Sequence, residues 1–144
     1  MNVYEWLEQV KKLDELISTQ LAERDHLLDV ALKITQDISD MPRGSNVSDK
    51  VGTSAVKLAA LAEETDRLVD LYILKKNEVV NTLKMLPPNQ YGALHRHYIQ
   101  YMTWEQVAED MGKSTMQIYR YRKKGIKKLG VLLNVSSSGD KMIL

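Results

Sequence analysis

The chain has 144 residues, 44% apolar and 27% charged, an ordinary globular mixture that argues against disorder throughout. It has no cysteine, which excludes disulfides, thiolate metal sites and cysteine nucleophiles. The N-terminal segment lacks the apolar core of a signal peptide, and no apolar run reaches roughly 18 residues. We therefore expect an intracellular protein without a membrane span.

The net charge of +1 conceals an uneven distribution. Residues 1–40 carry four basic and nine acidic side chains, whereas residues 91–144 carry nine basic and four acidic. The segment Lys113–Lys128 contains seven Lys or Arg and no acid. An acidic front half and a basic end predict two separate tasks in one chain.

Residues 3–38 have the apolar periodicity of a long helix. The residues of its stripe, mostly three or four positions apart, are Trp6, Val10, Leu13, Ile17, Leu21, Leu28 and Ala31. Turn-forming residues predict a loop over about 39–53, and a second long helix runs from Ser54 to the Pro87-Pro88 pair, which ends it.

These features predict an all-α fold in which residues 1–86 form a long, coiled-coil-like helical hairpin. Two helices alone bury little surface, which favours a homo-oligomer formed through them. Contact with a partner such as RNA polymerase is the other use we consider for this half. Residues 131–144 end in a short Ser-rich stretch and are predicted to be a flexible tail.

Residues 87–130 predict a separate domain of three helices. The first runs from about Pro88 to Gln100, with Leu94 and Tyr98 facing inward. The second runs from Trp104 to Met111, and the third covers 114–129.

Each of the last two helices starts with a capping box. Thr103 precedes Gln106 by three positions, and Ser114 precedes Gln117 in the same way, so each hydroxyl can accept from a free amide while the amide side chain reaches back. Gly112 lies between the helices, where a positive φ is cheap without a Cβ.

The spacing of apolar residues here is that of a helix-turn-helix. Ala108 allows the two helices to cross closely, and Ile118 fills the crossing from the other side. The predicted inner face is Trp104, Val107, Ala108, Met111, Gly112, Ile118 and Tyr121. This motif presents its second helix to the DNA major groove.

In this register the stretch resembles region 4 of sigma-70-type transcription factors and related regulators. The matching residues are Pro87, Tyr98, Thr103, Val107, Ala108, Gly112, Ser114, Ile118, Tyr121, Ile126 and Leu129. Gly125 stands where an Ala is usual, and Lys113 replaces the usual apolar residue after the turn glycine. Those departures predict a looser local core.

The whole chain also resembles a family of small phage and prophage proteins of Gram-positive hosts, some regarded as late-gene transcription regulators. Asp40–Gly44 and Ser48–Gly52 look like their inter-helix segment. The resemblance implies a phage-encoded transcription regulator in the cytoplasm of a bacterial host.

The outer side of the third helix and the turn before it supply the candidate DNA contacts. They are Lys113, Ser114, Thr115, Met116, Tyr119, Arg120, Lys123, Lys124 and Lys127. The resemblance implies that Thr115, Met116 and Arg120 reach base edges, where a guanidinium can hold guanine through two hydrogen bonds. The lysines would supply salt-sensitive attraction to phosphates.

Nothing in the chain predicts an enzyme, a cofactor or a metal site. His95 and His97 are two positions apart on a helix, so they point to different sides. Two other functions stay open beside regulation. A phage packaging subunit of the small-terminase kind would form a ring of many copies, and a helical adaptor would not bind DNA.

Overall fold

The structure, a computed structural model, describes the backbone of residues 1–40 and 45–136, with side chains at 1–34, 36 and 52–134. Every regular element in these ranges is a helix, which confirms the all-α class. The helices are α1 (Val3–Asp40), α2 (Ser45–Leu83), α3 (Pro88–Leu94, continued by a π-helical turn at His95–Ile99), α4 (Trp104–Met111) and α5 (Thr115–Ser136).

The predicted loop over 39–53 is wrong for most of its length. Helix α1 ends at Asp40 and α2 begins at Ser45, and residues 41–44 between them lie outside the described part. Gly52 is helical, because a glycine inside a helix costs only about 1 kcal/mol relative to alanine and the surrounding helix outweighs that.

Two helix ends also differ from prediction. Helix α2 stops at Leu83, and two i→i+3 hydrogen bonds close the next turn, from the amides of Met85 (3.1 Å) and Leu86 (3.0 Å). Helix α5 continues to Ser136, so the predicted flexible tail is helical over 131–136, and residues 137–144 lie outside the described part. The reason is packing, since Leu133 is buried.

The chain divides into two compact units. Unit 1 combines Met1–Lys12 with Tyr72–Leu144, and unit 2 is Leu13–Leu71. The predicted boundary after residue 86 lies inside unit 1. Unit 1 has fourteen basic and seven acidic side chains, a net +7, whereas unit 2 has six and twelve, a net −6.

The core of unit 1 joins segments that are distant in sequence. Leu7 from α1, Leu83 from α2, Leu94 from α3 and Leu129 from α5 are each fully buried in one cluster. Burying a leucine contributes about 1.5–3 kcal/mol, so these four are a large part of the stabilisation. The presence of Leu7 and Val10 beside the end of α2 shows that α1 and α2 run antiparallel.

Unit 2 is packed differently. None of its described apolar side chains is fully buried, and Ser54 is the one described residue there that counts as buried. Half-buried residues instead recur mostly at three- or four-residue steps along both helices, as in a coiled coil, although Arg24 between Gln20 and Leu27 is exposed. Leu21 and Leu28, expected in the buried stripe of α1, are 40% and 47% exposed.

Candidate nucleic-acid interface

The connection between α4 and α5 is a tight turn centred on Gly112. This residue has φ 65° and ψ 35°, in the left-handed region that glycine enters without steric cost. The Gly112 amide donates to the Glu109 carbonyl at 3.2 Å, and the Lys113 amide donates to the Ala108 carbonyl at 2.9 Å. This pair of bonds is a Schellman motif, which satisfies the last carbonyls of α4.

The starts of α4 and α5 are fixed by two capping boxes, as predicted. The Thr103 hydroxyl accepts from the Gln106 amide at 3.2 Å, and the Gln106 side chain accepts from the Thr103 amide at 2.9 Å. Ser114 and Gln117 make the same reciprocal bonds, both at 3.2 Å. Helix α5 therefore begins at one defined residue directly after the turn.

The predicted inner face lies mainly against a small apolar cluster. Val107, Ala108 and Ile118 are buried there together with Ala93 from α3. Trp104, Met111 and Tyr121 are half-buried at its edge, and Gly112 is exposed in the turn. Ala108 at the crossing leaves room for Ile118, which is 1% exposed.

Gly125 is a point of close approach between α5 and α3. A Cβ there would lie 2.7 Å from Leu94 Cδ1 and 3.5 Å from Gln90 Cβ. Because Leu94 is fully buried, its side chain has little freedom to withdraw. The looser core expected at Gly125 is therefore wrong, since the missing methyl lets the two helices pack more closely.

The outer side of α5 and its turn is open to solvent. All nine candidate DNA contacts are exposed, with Met116 at 65% and Tyr119 at 58%. The Arg120 guanidinium lies 3.8 Å from the Met116 sulfur, so these two side chains share one patch. No acid occurs from Lys113 to Asn134, and this face is therefore uniformly positive.

Arg122 belongs to the same basic run but points elsewhere. Its guanidinium lies 4.9 Å from the centre of the Trp104 ring and 5.9 Å from that of Tyr4. The other partner of Trp104 is His97, stacked at 3.8 Å with 15° between the rings. Sequence reasoning missed this group, because only the folded chain brings His97, Trp104 and Arg122 together.

His97 is held by the link between α3 and α4. Its Nδ1 lies 2.7 Å from the Met102 carbonyl oxygen, to which it donates. Burial lowers the pKa of the His97 imidazole, the hydrogen bond to Met102 opposes this, and the nearby Arg122 charge lowers the pKa further. In the same link Tyr101 has φ 61°, and the Met102 amide donates to the Arg96 carbonyl at 3.0 Å.

Arg96 ties the π-helical turn to α4. Its Nε donates to Asp110 at 2.6 Å, and its Nη1 donates to the Gly92 carbonyl at 3.1 Å. The side chains of Arg96 and Asp110 are 31% and 50% exposed, so solvent weakens this ion pair. This ion pair holds the C-terminal end of α4 in place through residues that do not belong to the apolar cluster.

Compared with known proteins, the chain matches no family model, no curated protein and no solved structure. Over the described residues, no three His, Cys, Asp or Glu side chains are grouped as metal ligands would be. None of the described helices combines the length and apolarity needed to cross a lipid bilayer.

Proposed function

We propose that this protein is a sequence-specific DNA-binding transcription regulator that inserts α5 into the major groove. The observation that carries the proposal is the exposed, acid-free outer face of α5, directly after a tight turn and two capped helix starts. The opposite face of the same helix is anchored by Ile118 and Leu129. A rigid helix presented in this way is what major-groove recognition requires.

Within this proposal the residues have different tasks. Arg120 contacts a base edge, with guanine as its best partner, and Thr115 and Met116 contact neighbouring positions. Lys113, Ser114, Lys123, Lys124 and Lys127 bind phosphates, and Tyr119 contacts a sugar or a thymine methyl. The net +7 of unit 1 draws it toward DNA, whereas the net −6 of unit 2 keeps that unit away.

Unit 2 therefore serves for homo-oligomerisation or for contact with RNA polymerase. The resemblance to small phage and prophage proteins supports a phage-encoded regulator in the bacterial cytoplasm. A ring of many copies would instead support the packaging function.

The first test is selection from a random duplex library. Purified protein is incubated with the library at low salt, bound DNA is recovered over several rounds, and the sequences are compared. An enriched motif supports the proposal, and two inverted half-sites indicate a symmetric dimer. Binding without enrichment contradicts a specific regulator, and no binding at all contradicts DNA recognition.

Three variants then test the assigned face on the selected site. Arg120→Ala should lose about 10- to 100-fold in affinity and accept other bases at one position. Lys124→Ala should weaken all sequences alike and reduce the salt slope by about 1. Lys57→Ala, which removes an exposed lysine from unit 2, is the matched control and should bind as the unchanged protein does.

A further inference from the structure

Arg122 differs from the other basic side chains of α5 in its surroundings. It is half-buried, whereas Arg120 and Lys123 close to it in the chain are exposed. No carboxylate of the described residues forms an ion pair with it. Aromatic rings lie beside its guanidinium instead, with ring centres at 4.9 Å for Trp104 and 5.9 Å for Tyr4. A cation within about 6 Å of a ring centre is attracted to the ring, so Arg122 has its partner inside the protein.

The Trp104 ring is held in place by residues outside α5. Trp104 is the first residue of α4, directly after the Thr103 cap. Its ring stacks on the His97 ring at 3.8 Å with 15° between the planes, and the Tyr98 ring meets it edge-on at 6.1 Å. His97 is fixed in turn by its hydrogen bond to the Met102 carbonyl at 2.7 Å. The indole is therefore a well-supported platform for the guanidinium.

The contact between Arg122 and Trp104 lies far from the turn that joins α4 and α5. Trp104 stands eight residues before Gly112, and Arg122 stands eight residues after Ser114. At about 1.5 Å per residue, that is about 12 Å along each helix. The buried crossing of the two helices lies about half as far from the turn. A contact farther from a pivot resists a change of angle more strongly, so this contact holds the angle between α4 and α5.

We propose that Arg122 is a positioning residue for DNA recognition: through Trp104 it holds α5 at the angle at which the base-contacting side chains enter the major groove together. Arg122 itself does not touch DNA. Arginine suits this task because its guanidinium is planar and stacks on aromatic faces, whereas the lysine ammonium is a compact point charge. The inference rests on the proposed function and adds to it a residue that acts from the protein side of α5.

The strength of this contact sets the size of the expected effect. A cation–π contact of this kind changes an equilibrium by about 2- to 30-fold. Without it, α5 takes the competent angle for a smaller fraction of the time, and the affinity for the specific site falls by at most that factor. Non-specific attraction to phosphates does not require one helix angle, so it should keep its strength. Loss of the contact should therefore lower specificity and leave non-specific binding unchanged.

The test compares the affinity of the full chain for its selected site and for a scrambled duplex of equal length, by fluorescence anisotropy from about 50 to about 300 mM NaCl. Arg122→Lys keeps the charge and removes the planar stack. It should bind the selected site about 2- to 30-fold more weakly, with the scrambled duplex and the salt slope unchanged. Arg67→Lys, the same change at an exposed position of unit 2, is the matched control and should bind both duplexes as the unchanged chain does.

Single base-pair changes across the selected site separate positioning from direct base contact. An arginine that reads a base loses discrimination at one position, as expected of Arg120→Ala, whereas Arg122→Lys should reduce discrimination at several positions. Trp104→Leu should do the same, and the double variant should lose no more than either single variant, because both changes break one contact. If thermal melts show that Trp104→Leu is unfolded, Trp104→Phe takes its place with a smaller loss, since a phenyl ring binds cations less strongly.

A spectroscopic measurement checks the contact without DNA. The chain has two tryptophans, so labelling with 5-fluorotryptophan gives two ¹⁹F resonances, and Arg122→Lys should shift that of Trp104 and leave that of Trp6 in place. An unshifted Trp104 resonance, equal weakening on both duplexes, loss of discrimination at a single position, or additive losses in the double variant would each overturn the inference. Specific binding that Arg122→Lys leaves intact would overturn this inference alone, whereas no DNA binding by the unchanged chain would overturn the proposed function and this inference with it.

Discussion

Replacing Gly112 by alanine should lower the stability of unit 1 by about 1 kcal/mol. The magnitude has a single source, because a Cβ at Gly112 would meet no atom within 4 Å and only the positive φ opposes it. The left-handed conformation costs a non-glycine residue about 1–2 kcal/mol. Alanine regains about 0.4–1 kcal/mol by restricting the unfolded chain. Asn, which tolerates this conformation, should cost less than Ala.

The assay is urea unfolding followed by circular dichroism, supported by thermal melts. For a unit of this size, about 1 kcal/mol corresponds to a decrease in Tm of about 4–8 °C. Gly52→Ala is the matched control, since its Cβ would also meet no atom within 4 Å but its backbone is helical. It should raise helix stability by up to about 1 kcal/mol. If Gly112→Ala raised the stability as Gly52→Ala is expected to do, the left-handed turn between α4 and α5 would be refuted.

Four further outcomes follow from the contacts of α3–α5. Ile118→Ala should cost about 2–5 kcal/mol in urea unfolding, whereas Val131→Ala, at a 57% exposed position, should stay within about 0.5 kcal/mol; equal effects would contradict the buried crossing. Thr103→Ala should cost about 1 kcal/mol, and a neutral result would mean that its cap is unimportant. Asp110→Ala should cost no more than about 1 kcal/mol, because its pair with Arg96 is half exposed, and a larger loss would contradict that solvent weakening. Burial lowers the pKa of His97 in the folded chain, so as the pH falls the unfolded chain protonates this imidazole first. The free energy of unfolding should therefore keep its full His97 contribution above about pH 6.5 and lose it as the pH drops through the lower folded-state pKa. His97→Gln should make the free energy of unfolding less dependent on pH, in unfolding measured at several pH values.

The sequence predicted most closely what local chemistry decides. Both capping boxes and the left-handed glycine depend on residues within a few positions of one another, and α4 has the predicted bounds. The inner face of α5 follows from the same short-range spacing, as the burial of Ile118 and Leu129 shows.

Features that depend on tertiary contacts were missed or wrong. Residues 45–53 are helical although Gly52 favours a turn. Helix α5 extends beyond its predicted end because Leu133 is buried. No spacing rule indicates that Arg122 would turn from the basic face toward Trp104, or that Gly125 would lie against Leu94. The DNA contacts and the oligomer stay predictions, to be tested as described.

The discontinuity of unit 1 affects how the chain folds during synthesis. Leu7 leaves the ribosome about 120 residues before Leu129, with which it shares a core, and at about 5–20 residues per second that delay is about 6–25 s. Val79 and Leu83 at the end of α2 share that core and emerge 72 and 76 residues after Leu7, so they can cover the first turns of α1 only in the later part of that interval. Because the start of α1 and the end of α2 share this core, they can meet before α3 and α5 have emerged, and we expect α3 and then α5 to complete the core against them.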